Sequence, residues 1–183
     1  MKDEKTIIEE ILAGQTDQYR LLVEKYQNPV FRIIFKIVGN DDDARDLTQD
    51  VFVKIYESLH QYNSGYKFFS WVYRTAINKA LLFERREKKF LSIDGNTDQF
   101  MQIPEQRMDY ESRDELLNRA INGLTEHYRT VVLLKYYAGL SYADISRILG
   151  IPEKTVKSRL FDARKILKDR LTKSDLFSFI QYN

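Results

Sequence analysis

The sequence predicts an all-α protein, two small helical domains joined by a flexible acidic linker. Glycine (7) and proline (3) are scarce in 183 residues, which disfavours a turn-rich all-β fold. Apolar residues recur at spacings of three and four wherever the chain is periodic at all. Residues 91–112 have no sustained period, contain Gly95 and Pro104, and are too long for an ordinary connection inside one compact domain.

The elements follow in order. Ile7, Ile8, Ile11 and Leu12 form a short amphipathic start that Gly14 closes. Tyr19, Leu22, Val23 and Tyr26 continue the helical spacing. Asn28-Pro29 then reads as a cap followed by proline at a first helical position, predicting that a helix restarts there. Val30, Ile33, Ile34 and Ile37 fill its buried face, and Gly39-Asn40 stops it. Asp41 is the expected cap of a long helix carrying Ala44, Leu47, Val51, Ile55 and Leu59. HQYNSGY (60–66) breaks the pattern. Phe68, Trp71, Val72, Thr75, Ala76 and Lys79 open another long helix that runs out through RREKK (85–89). These give a first domain over residues 1–90. After the linker, Leu116, Leu117, Ala120, Ile121 and Leu124 form one helix and Val131, Val132, Leu134 and Lys135 lie in the next. Two short helices around Gly150 complete a second domain over 113–183.

Composition removes several function classes. With no cysteine there is neither a disulfide framework nor a thiolate metal site. MKDEKTIIEEILAGQ lacks a signal-peptide core, and no run approaches the roughly 18 apolar residues of a membrane span. The expectation is a cytoplasmic protein without membrane insertion. Asp42, Asp46 and Asp50 share a helical face that could hold Mg²⁺ in a nuclease. However, the two histidines (His60 and His127) pair with no nucleophile, and no phosphate-cradling glycine loop exists. No enzyme, cofactor or metal is expected. The net charge of +2 hides a segregation. Residues 41–50 hold five Asp against one Arg, and residues 153–173 hold eight Lys/Arg against three acids. Two basic islands divided by acidic stretches suggest two separate contacts with a polyanion.

LSYADISRILGIPEKTVKSRLFDARK (140–165) has the spacing of a helix-turn-helix: Ser146 is the small residue, Gly150 the turn, and Ile151 and Val156 the flanking apolar positions. Ser141 and Asp144 form a capping pair. Val156, Leu160, Ala163 and Leu167 make a narrow buried stripe. Lys154, Thr155, Lys157, Ser158, Arg159, Phe161, Asp162 and Lys165 are left outside it, where such side chains reach base edges and phosphates. One small module buries about 600–1,000 Å² on DNA. Alone it binds non-specifically at around 10⁻⁴–10⁻⁶ M. It must therefore dimerise, or be tethered to a second contact that raises its effective concentration.

DDARDLTQDVFVKIYESLHQYN followed by FFSWVYRTAINKALLFERREKK, together with GLSYADI…LGIPE-x-TVKSRL, resembles the extracytoplasmic-function (ECF) class of bacterial RNA polymerase sigma factors. The resemblance covers about residues 17–90 and 113–171. It implies an alternative sigma factor whose partners are core RNA polymerase and promoter DNA, with an anti-sigma protein often added in this class. Asp46, Gln49, Asp50 and Val53 already share one face that suits an arginine-bearing partner. The resemblance docks that face on the clamp helices of the β′ subunit. It assigns the loop at 61–67 and the start of the next helix to the melted -10 strand. There Tyr62, Asn63, Tyr66 and Phe68 would stack on or bond to an unstacked base, with Trp71, Arg74 and Asn78 beside them. Arg85 and Arg86 would grip phosphates, and the second basic island would read the -35 duplex. The acidic linker would thread polymerase channels as a nucleic-acid mimic.

Three positions depart from the family pattern: Leu82 stands where an Asp is common, Asp162 where a basic residue is common, and Ser146 where Ala is usual. The alternative is a stand-alone helix-turn-helix regulator. It would have to dimerise through residues 17–90, where an Asp-rich face is poorly self-complementary. The apolar tail DLFSFIQYN (175–183) lies outside the match and either extends the last helix or meets a partner.

Overall fold

A computed structural model describes residues 2–93 and 113–173. The tail at 175–183, and the predicted linker beyond residue 93, lie outside the described residues. Every regular element among the described residues is helical: α1 (Glu4–Leu12), α2 (Tyr19–Val38), α3 (Asp41–Glu57), α4 (Phe68–Ile93), α5 (Arg113–Asn122), α6 (Glu126–Val132), α7 (Tyr142–Leu149) and α8 (Glu153–Lys173).

Two sequence expectations change. The helix does not restart at Asn28-Pro29, because Pro29 lies inside a continuous α2. Leu22, Tyr26, Val30, Ile33, Ile34 and Ile37 form one buried stripe running through the proline. Their burial, about 1.5–3 kcal/mol per large side chain, outweighs the one backbone hydrogen bond that Pro29 cannot donate. The cap of α3 is Asn40, not Asp41: the Asn40 carboxamide accepts from the Asp43 N–H at 3.0 Å. Asp41, Asp42 and Asp43 instead occupy the first turn, where negative charge complements the helix dipole. At its far end α4 runs on to Ile93, past the predicted boundary at residue 90.

In the first half α2 packs against both α3 and α4, and α1 closes the bundle with Ile7, Ile8 and Ile11. In the second, α6 and α7 pack on α8 around Val131, Val132, Ile145, Ile148, Val156 and Leu160. A single π-helical turn (Leu133–Tyr137) carries α6 into the loop before α7, where Gly139 turns the chain at φ 67°. The two halves touch. α7 packs on α4, the π turn packs on α2, and Lys36 Nζ of α2 donates to Asn118 Oδ1 of α5 at 2.6 Å.

Candidate nucleic-acid interface

On α3, Asp46, Gln49, Asp50 and Val53 are all exposed, while Ala44, Leu47, Thr48, Val51, Phe52 and Ile55 are buried beneath them. Val53 is 56% exposed, an apolar group left in water beside carboxylates. It borders an apolar depression shared with Tyr19, Leu21 and Tyr56. Asp50 pairs with Lys79 of α4 at 2.7 Å. Arg86 lines the same cleft as Asp43, Asp46 and Asp50. It therefore stands beside the acidic face of α3 and not with Arg85, because consecutive residues on a helix point about 100° apart. Leu82, one of the departures, lines this cleft as well.

The loop after α3 is built by local bonds. Leu59–Gln61 form a 3₁₀ turn, Asn63 Oδ1 accepts from the Gly65 N–H at 2.8 Å, and the Tyr62 hydroxyl donates to the Tyr66 carbonyl at 2.5 Å. Gln61, Tyr62, Asn63, Tyr66, Ser70, Trp71, Arg74 and Arg147 line a cavity of about 350 Å³. The Tyr62 and Trp71 rings stack with centroids 5.7 Å apart and planes 28° apart. Phe68 differs from its expectation. It is 1% exposed and packs edge-on against Tyr26, Tyr62 and Trp71, so it supports the aromatic pair and presents no free face. Tyr26 in turn donates to Glu4 of α1, which also pairs with Lys25. Burial, then the nearby Glu4 and Asp3 charges, push the Tyr62 phenol up, keeping it a neutral donor. The Ser70 hydroxyl is buried without a hydrogen-bond partner among the described residues, and Ser70 lines the cavity.

The helix-turn-helix forms as the spacing predicts. Ser141 Oγ accepts from the Asp144 N–H at 3.1 Å and donates to its carboxylate at 2.6 Å. Gly150 sits at φ 66°, in the left-handed region that a residue with Cβ enters only at a cost. Ser146 donates its hydroxyl to the Ile151 carbonyl at 2.5 Å, so the departure from Ala ties the turn. On α8, Lys154, Lys157, Ser158, Phe161 and Lys165 form one exposed stripe, with Phe161 65% exposed. Thr155 is half-buried beside it. Arg159 leaves the stripe: it lines the cleft between the halves with Arg74 and Asn78.

Around that cleft some of the sequence-predicted -10 residues, Arg74, Asn78 and Arg85, meet the second half. Arg85 makes a two-pronged pair with Glu126 of α6 at 3.0 and 2.5 Å, which raises its guanidinium pKa further. Lys67 lies 3.5 Å from Asp144 of α7. Gly150 comes so close to Arg74 that a Cβ there would lie 3.3 Å from its Nη2. Underneath, Arg129 of α6 donates to Glu84 of α4, and both side chains are largely buried. Lys88 takes the other Glu84 oxygen at 3.0 Å. Burial alone would raise the Glu84 carboxyl, but the hydrogen bonds from Arg129 and Lys88 outweigh it and hold the group below its ordinary value. None of Glu84, Glu126, Arg129 or Arg147 stands out in the sequence, since each gains its role from a partner at least about 40 residues away. Lys67 lies within the predicted loop yet carried no separate signal.

Residues 22–90 match the family described as sigma-70 region 2, and residues 114–167 match sigma-70 region 4. The RNA polymerase sigma-H factor of Pseudomonas aeruginosa is 30% identical, covering 93% of this chain and 94% of its own. The ECF RNA polymerase sigma factor SigW of Bacillus subtilis is 28% identical over 91% of this chain and 96% of its own. Among solved structures, CnrH in complex with the cytosolic domain of CnrY shares the fold. Its TM-score is 0.71 at 19% identity, over 93% of this chain and 97% of that one.

Proposed function

The chain belongs to the ECF class of sigma-70 factors, and we propose that it divides promoter selection among the three surfaces just described. It is an alternative sigma factor that binds core RNA polymerase and directs initiation at its promoters. The observation carrying this is the pairing, on one chain, of a region 2 match and a region 4 match. A stand-alone regulator would need neither the acidic α3 face nor the aromatic cavity, and draws no support. No catalytic role is assigned to any residue.

In this reading the exposed carboxylates of Asp46 and Asp50, with Gln49 and Val53, meet basic and apolar side chains of the polymerase β′ clamp helices. Val53 supplies apolar contact and the acids supply register. The cavity beside the Tyr62–Trp71 stack accepts an unstacked base of the melted -10 strand. Its volume admits a base, and the rings supply a π face. Arg74, Asn78 and Arg85 follow the strand along α4. Lys154, Lys157, Ser158, Phe161 and Lys165 face the -35 duplex. There the phenyl ring suits a thymine methyl, and lysines serve either guanine edges or phosphates. As the sigma factor RpoE of Bartonella quintana is found in complex with the anti-sigma factor NepR, so an anti-sigma protein would bind this chain.

In vitro transcription with core polymerase and a randomised promoter library tests the whole. Asp50→Arg should abolish core binding while duplex binding by the intact chain persists. Unchanged core affinity would overturn the α3 assignment.

A further inference from the structure

One lysine of the exposed α8 stripe has an aromatic neighbour on the other helix of the motif. Lys157 Nζ lies 5.7 Å from the ring centroid of Tyr142, the first residue of α7. The ring is in turn accompanied by a second lysine. Lys135, on the π-helical turn, donates to the Leu140 carbonyl at 3.1 Å and lies 4.9 Å from the Tyr142 centroid. That bond fixes the chain two residues before Tyr142, and the Ser141 hydroxyl caps α7 directly ahead of it. Tyr142 is half-buried against the core, and Lys135 is half-buried with a carbonyl to satisfy it. Lys157 is exposed, so of the two ammonium groups near the ring it is the one that a ligand in solvent can reach. Its charge rides on a flexible four-carbon stem, which loses rotamers when it meets DNA unless it is ordered beforehand. A ring face attracts an ammonium electrostatically without taking up its N–H donors as a carboxylate would. The charge is located while its hydrogen-bonding capacity stays available.

We propose that Tyr142 is a positioning residue for Lys157, its ring face ordering that side chain for the -35 duplex. This rests on the reading of α8 as the duplex-binding face. Because the ring belongs to α7, it ties the basic stripe to the other helix of the motif, and Lys135 extends the tie to the π turn. Tyr142 acts through Lys157, and the π face is the working part of the side chain. The phenol hydroxyl has no share in it.

The test uses the full-length chain and a fluorescent duplex of about 20 base pairs, carrying the -35 element of a promoter recovered from the randomised library. Affinity is measured by fluorescence anisotropy at low ionic strength, because one module binds weakly. Tyr142→Leu, which removes the π face, should weaken binding about three- to fivefold. Tyr142→Phe, which keeps the ring and drops the hydroxyl, should restore affinity to within about twofold. In the Lys157→Ala background, Tyr142→Leu should add almost nothing, since the ring then has no ammonium to hold. A second measurement needs no DNA. In the chain carrying isotope-labelled lysine, the Lys157 ε-methylene resonance, assigned by its loss in Lys157→Ala, should be shifted upfield by the ring current. Tyr142→Leu should return it to the ordinary lysine position. A thermal melt checks that Tyr142→Leu is folded, and Tyr142→Phe and the wild-type lysine spectrum carry the test if it is not. A loss beyond about twofold in Tyr142→Phe would make the hydroxyl the working group and overturn the proposal. So would a Lys157 resonance at the ordinary position, or full additivity of the Tyr142→Leu and Lys157→Ala losses. If Lys157→Ala itself leaves duplex affinity unchanged, the reading of α8 fails instead.

Discussion

The two helices that carry the basic islands differ in what surrounds them. The α8 stripe from Lys154 to Lys165 is exposed, held by a capping box, a left-handed glycine and the Ser146 hydroxyl, all within the helix-turn-helix. Along α4, by contrast, Arg85 is paired with Glu126 and Glu84 with Arg129, both partners lying on α6 in the other half of the molecule, and Lys67 just before the helix meets Asp144 of α7. One surface is organised by neighbours in sequence, the other by partners far away. A mutation at the first should therefore act on DNA alone, whereas one at the second should act on DNA, stability and domain arrangement together.

The largest expected break in that contrast comes from Arg129→Met. It removes a guanidinium that is 5% exposed and leaves Glu84 with Lys88 alone. Unfolding free energy, measured by urea titration, should fall by about 3 kcal/mol, the scale of breaking a buried pair. A loss below about 1 kcal/mol would show that α4 is not fastened there. Next is Lys157→Ala. It should weaken -35 duplex binding by about 1–2 kcal/mol, roughly tenfold, with the urea midpoint unchanged because the side chain is exposed. A matching loss of stability would show that α8 is not independent of the core.

Gly150→Ala should cost about 1 kcal/mol, because it forces a Cβ into φ 66° and presses it toward Arg74. Restoring stability by the second change Arg74→Ala would locate the pressure at that contact. An unchanged deficit would assign it all to the backbone.

The smallest effect is that of acid. The Glu84 and Asp144 carboxyls are both held below their ordinary values in the folded chain. Asp144 is held by the Ser141 hydrogen bond and the Lys67 charge against the opposing pull of burial. Each stabilises the fold fully above the ordinary carboxylate range, where it is ionised in both states. That contribution is lost as pH falls through the depressed folded value, since the unfolded chain takes up the proton first. Melting temperature should fall with acidification below about pH 4.5. In Glu84→Gln that slope should shrink. An unaltered slope would mean that other carboxylates carry it.

Much of this fold was legible because helices announce themselves locally. The stripe Val156, Leu160 and Ala163 is buried as its spacing requires, and Gly39, Gly150 and Ser141 punctuate where turn and cap chemistry place them. The exposed face of Asp46, Gln49, Asp50 and Val53 follows from the same period. Where local rules failed, tertiary burial prevailed. Pro29 is carried inside α2 by a continuous apolar stripe, and Phe68, read as a surface ring, serves as the floor beneath Tyr62 and Trp71. Arg85 and Arg86, adjacent in one basic cluster, part to opposite partners because the helix turns between them.

Residue order alone determined the helical class, the two halves, the buried stripes and the turn chemistry of the helix-turn-helix. Each of these depends on side chains within a few residues of one another. Only the folded molecule decided which basic groups lie free and which are occupied. Electrostatic pairing falls off with distance in space, and the distance between Glu84 and Arg129, or between Arg85 and Glu126, is set by packing that sequence separation does not reveal.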